Sequence, residues 1–490
     1  MIRRNHEAET RSRNEDTIFA MQNNICANDA GGISLGTMFY SKSLRLCILI
    51  LALTAGMFAQ SDGSQQNKTG RAGTFAVVGA RIVTVSGGVI ENGTIVIQNG
   101  KITAVGAGAQ VPSGAERIEG RGLTVFPGMI DSATGLGLAE IGQGANATMD
   151  IAEVGTNNAN AKAITGVNPH SSHVNVTRVN GITAVMSAPS GGLIAGQGTV
   201  INLNGSTQAE MAVESTAGLV INFPRIATGG GFGGFGGFGG GQQIDFADAV
   251  RRRDGQIDEL KKIFTSAQNH ARAMEAYSKD RSLPLPETDL PLEALAPYVR
   301  GLKPIFFTAE RERDIRAIAK FAGEMKIKGI IVGGQEAWKA ADVLKQNDIS
   351  VIYTNIYSLP VREDDSYDSL FEAPAKLQQA GVRFAISTGD QGGESRDLPY
   401  QAGLAGAYGL SKDEALKSVT LYPAQILGIA DRLGSIEVGK MANVVVADGD
   451  ILDPRTNIRY MFINGRLIPL TSRHTELFDS FKERGVPERP

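Results

Sequence analysis

Cysteine and histidine are the scarce residues of this chain. Only Cys26 and Cys47 occur in 490 residues, which excludes a disulfide framework and a zinc site built on cysteines. There are five histidines, so chemistry that rests on an imidazole cluster has few places to be. Neither sign of charge dominates. Against 48 Lys+Arg stand 51 Asp+Glu, a formal net charge of −3, and no broad electrostatic footprint for nucleic acid or anionic lipid follows. Apolar residues, by contrast, make up 42% of the chain, and glycine numbers 60 where about 7% of a chain is usual. A chain of this length and apolar content buries a substantial core, as two domains or as one large barrel with an addition. Global disorder is excluded.

The longest apolar run lies near the N-terminus. Residues 1–37 are polar and patternless and read as an extension ahead of a start at Met38. Lys42 and Arg45 then lead into the 14-residue apolar run Leu46–Ala59. This is the layout of a secretory signal over 38–60, shorter than the ~20 residues of a membrane span. Cleavage near Ala59 leaves both cysteines outside the mature chain, which suits an oxidising compartment. The expectation is an exported protein, periplasmic or extracellular, with no stable membrane span. Residues 61–73 follow as a flexible linker.

Strands crowd both ends of what remains. Thr94–Gln98, Asn99-Gly100 and Lys101–Val105 form a two-residue hairpin signal, because Asn-Gly supplies the positive φ angles of a type I′ turn. The device recurs in Ile458–Ile463, Asn464-Gly465 and Arg466–Ile468. Neither end has enough strands for a stable sheet alone, so the two are expected to pair into one β domain. Between them strand and helix patterns alternate. Apolar runs at Ile182–Met186, Thr199–Leu203, Pro304–Thr308, Gly329–Gly333, Ser350–Thr354 and Val382–Ser387 are separated by segments of helical spacing, such as Ile315, Ile318, Ala319, Ala322 and Met325. Repeated units of this size imply a parallel sheet, and a (β/α)8 TIM-like barrel suits the length best.

Three features stand apart. Residues 229–241 read GGGFGGFGGFGGG, with too little side chain to pack; they form a flexible surface insertion or, on the sharper reading, a Phe-Gly docking segment of a surface-structural protein. His170 and His173 would share a face on a helix and could grip a metal, yet they follow Pro169 and no third ligand is evident, so polar loop or helix-start residues is the competing reading. The run Gly191 to Gly198 has glycines but no lysine in P-loop position, and reads as a barrel loop.

At Phe126-Pro-Gly-Met-Ile-Asp131 the sequence begins to resemble the amidohydrolase superfamily, specifically its imidazolonepropionase-like branch. The resemblance continues through Gly181-Ile-Thr-Ala-Val185, Phe384-Ala-Ile-Ser-Thr388, the run Ala415–Gly428 and Gly434-Ser-Ile-Glu-Val-Gly-Lys440. It implies an α/β fold, a metal-dependent barrel over 128–433 plus a composite β-sandwich from 74–127 and 434–470, with 471–490 as a C-terminal tail. It also implies hydrolysis of C–N bonds other than peptide bonds, in cyclic or linear amides, with one or two divalent metals, usually zinc.

The metal residues do not carry over. The family's His-x-His falls on Ala133 and Gly135, a further histidine stretch on Thr308-Ala309-Glu310, and another on Gly333-Gly334-Gln335. The general-base aspartate falls on Gly389, with Asp390 one residue later, either its slipped equivalent or a loop carboxylate. Without a metal to bring the pKa of bound water from 15.7 to about 7, the candidate acid–base residues are Glu310 and Asp390, both expected at C-terminal strand ends. No metal ligands and no cofactor are assigned. The expected partner is a small-molecule ligand or substrate at the barrel mouth. The alternative is a catalytically silent member that binds a ligand or pairs, as a homo- or hetero-oligomer, with an active homologue.

Overall fold

The computed structural model describes residues 69–141, 146–227, 244–390, 392–482 and 484. The segment read as a secretory signal, most of the expected linker and the 229–241 run lie outside them. No helix among the described residues is long and apolar enough to cross a membrane.

Two eight-stranded sheets carry the fold. The first joins the chain ends: β1 (Phe75–Val83), β2 (Val89–Gln98), β3 (Lys101–Gly106), β4 (Glu116–Glu119) and β5 (Thr124–Pro127) from one, and β14 (Val444–Ala447), β15 (Ile458–Ile463) and β16 (Arg466–Leu467) from the other. The seam is the antiparallel pair β5–β14, with Val445 opposite Phe126. Both Asn-Gly turns form as expected, with φ of 53° and 80° at Asn99-Gly100 and 50° and 70° at Asn464-Gly465. They also meet each other: a Cβ at Gly465 would lie 2.6 Å from the Gly100 Cα. Alternation along β14 divides its side chains. Val444 and Val446 pack with Phe75, Ile95 and Phe462 within the β domain, whereas Val445 and Ala447 face the core shared with the barrel.

The second sheet is the barrel: β6 (Met129–Thr134), β7 (Ile182–Ser187), β8 (Ile194–Asn202), β9 (Ala212–Asn222), β10 (Ile305–Ala309), β11 (Gly329–Gly333), β12 (Ser350–Tyr353) and β13 (Phe384–Ile386), neighbours in that order. It departs from a regular (β/α)8 barrel at one strand. β8 runs antiparallel to both β7 and β9, while the other pairings are parallel. Residues 188–193 are too short to hold the crossover a parallel return requires, so the chain turns back as a hairpin. From β9 onward the parallel strands are buried on both faces. Val220, Phe306, Ile330, Ile352 and Ala385 fill the barrel interior, and Ile305, Phe307, Ile331, Val351 and Phe384 pack outward. The helices cover that outer surface. Helix Glu312–Met325 buries Ile315, Ile318, Ala319 and Ala322 along one stripe, and helix Phe246–Lys279 buries Leu260, Phe264, Ala267 and Ala271. The segment read as a tail contains helix Arg473–Phe481, opened by a Ser472/Thr475 capping box.

β6 and β13, the two ends of the sheet, are joined through Asp131. This fully buried carboxylate accepts hydrogen bonds from Ser387 Oγ, Thr388 Oγ1 and the Thr388 N–H, while Ser387 Oγ also accepts from the Ala133 N–H at 2.9 Å. Burial pushes the Asp131 carboxyl up to about 6, against the pull of those hydrogen bonds. The closing seam is thus a set of charge-assisted side-chain bonds, each about twice as strong as a neutral one.

Candidate active site at the barrel mouth

Because the interior is packed, the barrel itself admits a ligand only where its strands end. At the C-terminal ends a cavity of about 230 Å³ opens, floored by Met186, Val220, Phe306 and Val332. Its polar lining includes Asn222, Thr308, Glu310, Thr354, Asn355 and Asp390, with Ala133, Gly135, Gly333 and Gly389 between them. Glu310 and Asp390 therefore reach one cavity, as their positions at strand ends suggested. Asn222, Thr354 and Asn355 were not singled out in the sequence, and no local motif marks them.

The two carboxylates are held differently. Glu310 follows the last residue of β10. One of its oxygens, Oε2, accepts from the Gln335 N–H at 3.2 Å, and its main-chain carbonyl accepts from the Glu336 N–H at 2.9 Å. Burial raises this carboxyl to about 7, outweighing the opposing pull of the Gln335 N–H and of Arg225. Its place depends on the absence of a side chain next door. Gly333 has φ of 108°, and a Cβ there would lie 2.5 Å from Glu310 Oε1. So the position where the resemblance calls for an imidazole is filled by a carboxyl from the neighbouring strand. Asp390 is tied into its own loop. Its Oδ2 accepts from the Gly392 and Glu394 N–H groups at 2.6 and 2.7 Å, and its carbonyl accepts from the Gly135 N–H at 2.9 Å.

The remaining polar groups bond mostly to one another. Thr308 Oγ1 donates to Asn222 Oδ1 at 3.2 Å, Asn222 Nδ2 donates to the Gly192 carbonyl at 2.9 Å, and Asn355 Nδ2 donates to Thr354 Oγ1 at 3.0 Å. The histidine pair does not reach the mouth. His170 precedes the Ser171 N-cap, and His173, in the first turn of helix Ser172–Arg178, donates from Nε2 to the Glu140 carbonyl at 2.9 Å.

A catalytic zinc takes three protein ligands and a structural one four. Ala133, Gly135 and Gly333 offer none through their side chains, Thr308 offers a hydroxyl already bonded to Asn222, and Asp390 Oδ2 is held by two amides. Among the described residues no three His, Cys, Asp or Glu side chains converge to hold a metal ion. The donor set does not fit the imidazole-held metal centre that the resemblance implies. It does fit proton transfer, since a buried carboxyl with a pKa near 7 can both take and give a proton at neutral pH.

Comparison with known proteins agrees with this architecture. A model of the amidohydrolase family matches residues 313–468. The chain is 23% identical over 392 residues to amidohydrolase tasK of Hapsidospora irregularis, covering 74% of this chain and 38% of that one. It is 30% identical over 161 residues to the imidazolonepropionase of Fusobacterium nucleatum, covering 29% of this chain and 38% of the relative. The chain therefore spans well under half the length of these curated relatives. Among solved structures, an amidohydrolase from Thermotoga maritima aligns with a TM-score of 0.70 and 27% identity, over 81% of this chain and 100% of that one.

Proposed function

From its membership of the amidohydrolase superfamily, on the imidazolonepropionase-like branch, we propose that this chain hydrolyses a C–N bond other than a peptide bond, in a small cyclic or linear amide, with Glu310 as proton carrier. The observation that carries the reading is the Glu310 carboxyl, held in the mouth at a pKa of about 7. Ionised, it takes a proton from water as the water oxygen bonds to the amide carbon. Protonated, it returns that proton to the nitrogen as the C–N bond breaks, and the carboxylate is regenerated. General-base help of this kind contributes roughly 10²–10⁴-fold, without the large shift in the acidity of water that a metal provides. Turnover is accordingly slow. The apolar floor and the modest volume suit a small, largely neutral amide.

A second reading is a silent member that binds a small molecule at the mouth or pairs with an active homologue. It is favoured by the Thr308 hydroxyl donating to Asn222 and the Asn222 amide donating to the Gly192 carbonyl, which engages two donors that could otherwise stabilise an oxyanion. A panel of cyclic and linear amides, offered to the chelator-treated full chain and to Glu310→Gln, separates the readings. Turnover that survives chelation and is lost in the variant supports the first. Binding without turnover supports the second, and turnover that needs added metal refutes both. We also place the protein outside the cytoplasm, on the basic-then-apolar segment Lys42–Ala59. N-terminal sequencing of native protein should begin close to Gln60, and a retained Met1 or Met38 in a cytosolic fraction would contradict export.

A further inference from the structure

We propose that an arginine-lined cavity beside the barrel mouth binds a tetrahedral oxyanion, the phosphate group of a small-molecule ligand. The cavity measures about 380 Å³ and is lined by Arg311, Arg313, Arg316 and Arg362 together with Glu312 and Glu336. It adjoins the mouth through one bonded pair. Glu310 lines the mouth, the neighbouring Arg311 and Glu336 line this cavity, and the Glu336 N–H donates to the Glu310 carbonyl at 2.9 Å.

Four guanidinium groups line this cavity against two carboxylates, with Asp314, Asp342, Asp364 and Asp365 close outside the lining. Glu336, 2% exposed, accepts from the Glu312 N–H at 2.9 Å and from Arg362 Nε at 2.7 Å. Glu312 accepts from Arg316 Nε at 2.9 Å, and Arg316 is held further by Asp342 at 2.9 Å and the Lys339 carbonyl at 3.0 Å. Those contacts fix two guanidinium groups in place and leave the outer edge of Arg362 open. Arg313 has a weak bond to the Ile226 carbonyl at 3.3 Å and lies 3.5 Å from Asp314. The Arg311 carbonyl accepts from the Asp314 and Ile315 N–H groups at 3.0 Å, while its guanidinium makes no ion pair or hydrogen bond among the described residues and adds only to the field around Asp314. Arg225 and Arg253 add to the positive field around Asp314.

Open guanidinium edges therefore face one space from two separate segments, the start of helix Glu312–Met325 and the loop after β12. A planar carboxylate is matched by a single guanidinium fork. A phosphate, with more oxygens and a charge near −2, can be held from several directions at once. The reading is independent of whether Glu310 hydrolyses anything.

Calorimetric titration of the full chain at fixed ionic strength tests the proposal, with inorganic phosphate, phenyl phosphate and acetate as probes. Saturable phosphate binding is expected, weakened about tenfold or more by Arg311→Gln, as loss of a charge-assisted hydrogen bond implies. Acetate should bind far less. The Arg311 guanidinium has no hydrogen-bond partner among the described residues and the substitution keeps its main-chain bonds, so the variant is expected to fold as the parent does. Tighter binding of phenyl phosphate identifies a ligand whose body reaches the apolar mouth, and equal binding identifies the free ion. Phosphate that binds no better than acetate, or as well to Arg311→Gln as to the parent, overturns the proposal.

Discussion

Replacing Glu310 with Gln should make the protein more stable by about 3 kcal/mol at pH 8 and by under about 1 kcal/mol at pH 5. Gln has the same shape and can still accept the Gln335 N–H bond, so packing is kept and only the titration is removed. The folded-state value of about 7 stands above the ordinary 4.5. A carboxyl raised in this way favours folding when protonated: its contribution is fully present below pH 4.5 and is lost as the pH rises through 7. The gap corresponds to about 3 kcal/mol. Asp131, raised to about 6, has the same sign, so the parent should lose stability from both groups between about pH 4 and 7. Comparing parent and variant cancels Asp131 and isolates Glu310. Urea unfolding at pH 5, 6, 7 and 8 gives the two curves. They should converge at the acid end and diverge by about 2–3 kcal/mol at the alkaline end. Curves that stay parallel would refute the argument that burial, rather than solvent, sets the protonation of Glu310.

Asp131→Ala should cost about 3–5 kcal/mol, because it leaves the buried Thr388 N–H and two hydroxyls without their acceptor. Asp131→Asn should cost far less, since one oxygen remains to accept and the amide can donate to Thr388 Oγ1; equal losses in thermal melts would contradict the closure described for β6 and β13. Gly465→Ala combines a φ of 70° with a contact of 2.6 Å to Gly100 Cα, and should cost roughly 1–3 kcal/mol in denaturant titration, whereas Arg466→Ala, one residue on, should cost less. Asp390→Asn keeps an acceptor for the Gly392 and Glu394 amides. It should lower any amide turnover by less than tenfold, and abolition of turnover would transfer the proton-carrier role from Glu310 to Asp390.

The parts of this molecule written in local chemistry were legible in the sequence. The Asn-Gly turns at 99–100 and 464–465 follow from the φ angles those residues tolerate; the pairing of both ends into one sheet was expected, although the first end supplies five strands and it is the three strands of the second that complete the sheet against β5. The buried stripe Ile315, Ile318, Ala319 and Ala322 follows from helical spacing. The reversal of β8 was not read, because direction is set by a loop too short for a crossover and not by the strand's own residues. In the mouth, the strand-end positions of Glu310 and Asp390 could be read from flanking strands. The different states of the two carboxylates could not. They depend on Gly333 leaving room beside Glu310 and on amides two and four residues beyond Asp390, contacts that exist only after folding. Asp131 stood in the sequence as part of a motif, and its role in closing the barrel appears only when Ser387 and Thr388 arrive from 256 and 257 residues away.

The central claim is that proton transfer by Glu310, and not a metal-activated water, is the chemistry available at the barrel mouth. Elemental analysis of the purified full chain tests it most directly. Substoichiometric zinc and a melting temperature unmoved by chelation are expected, as for a fold to which no metal-binding energy is coupled. Two tightly bound zinc ions per chain, with a fall in melting temperature on their removal, would contradict it.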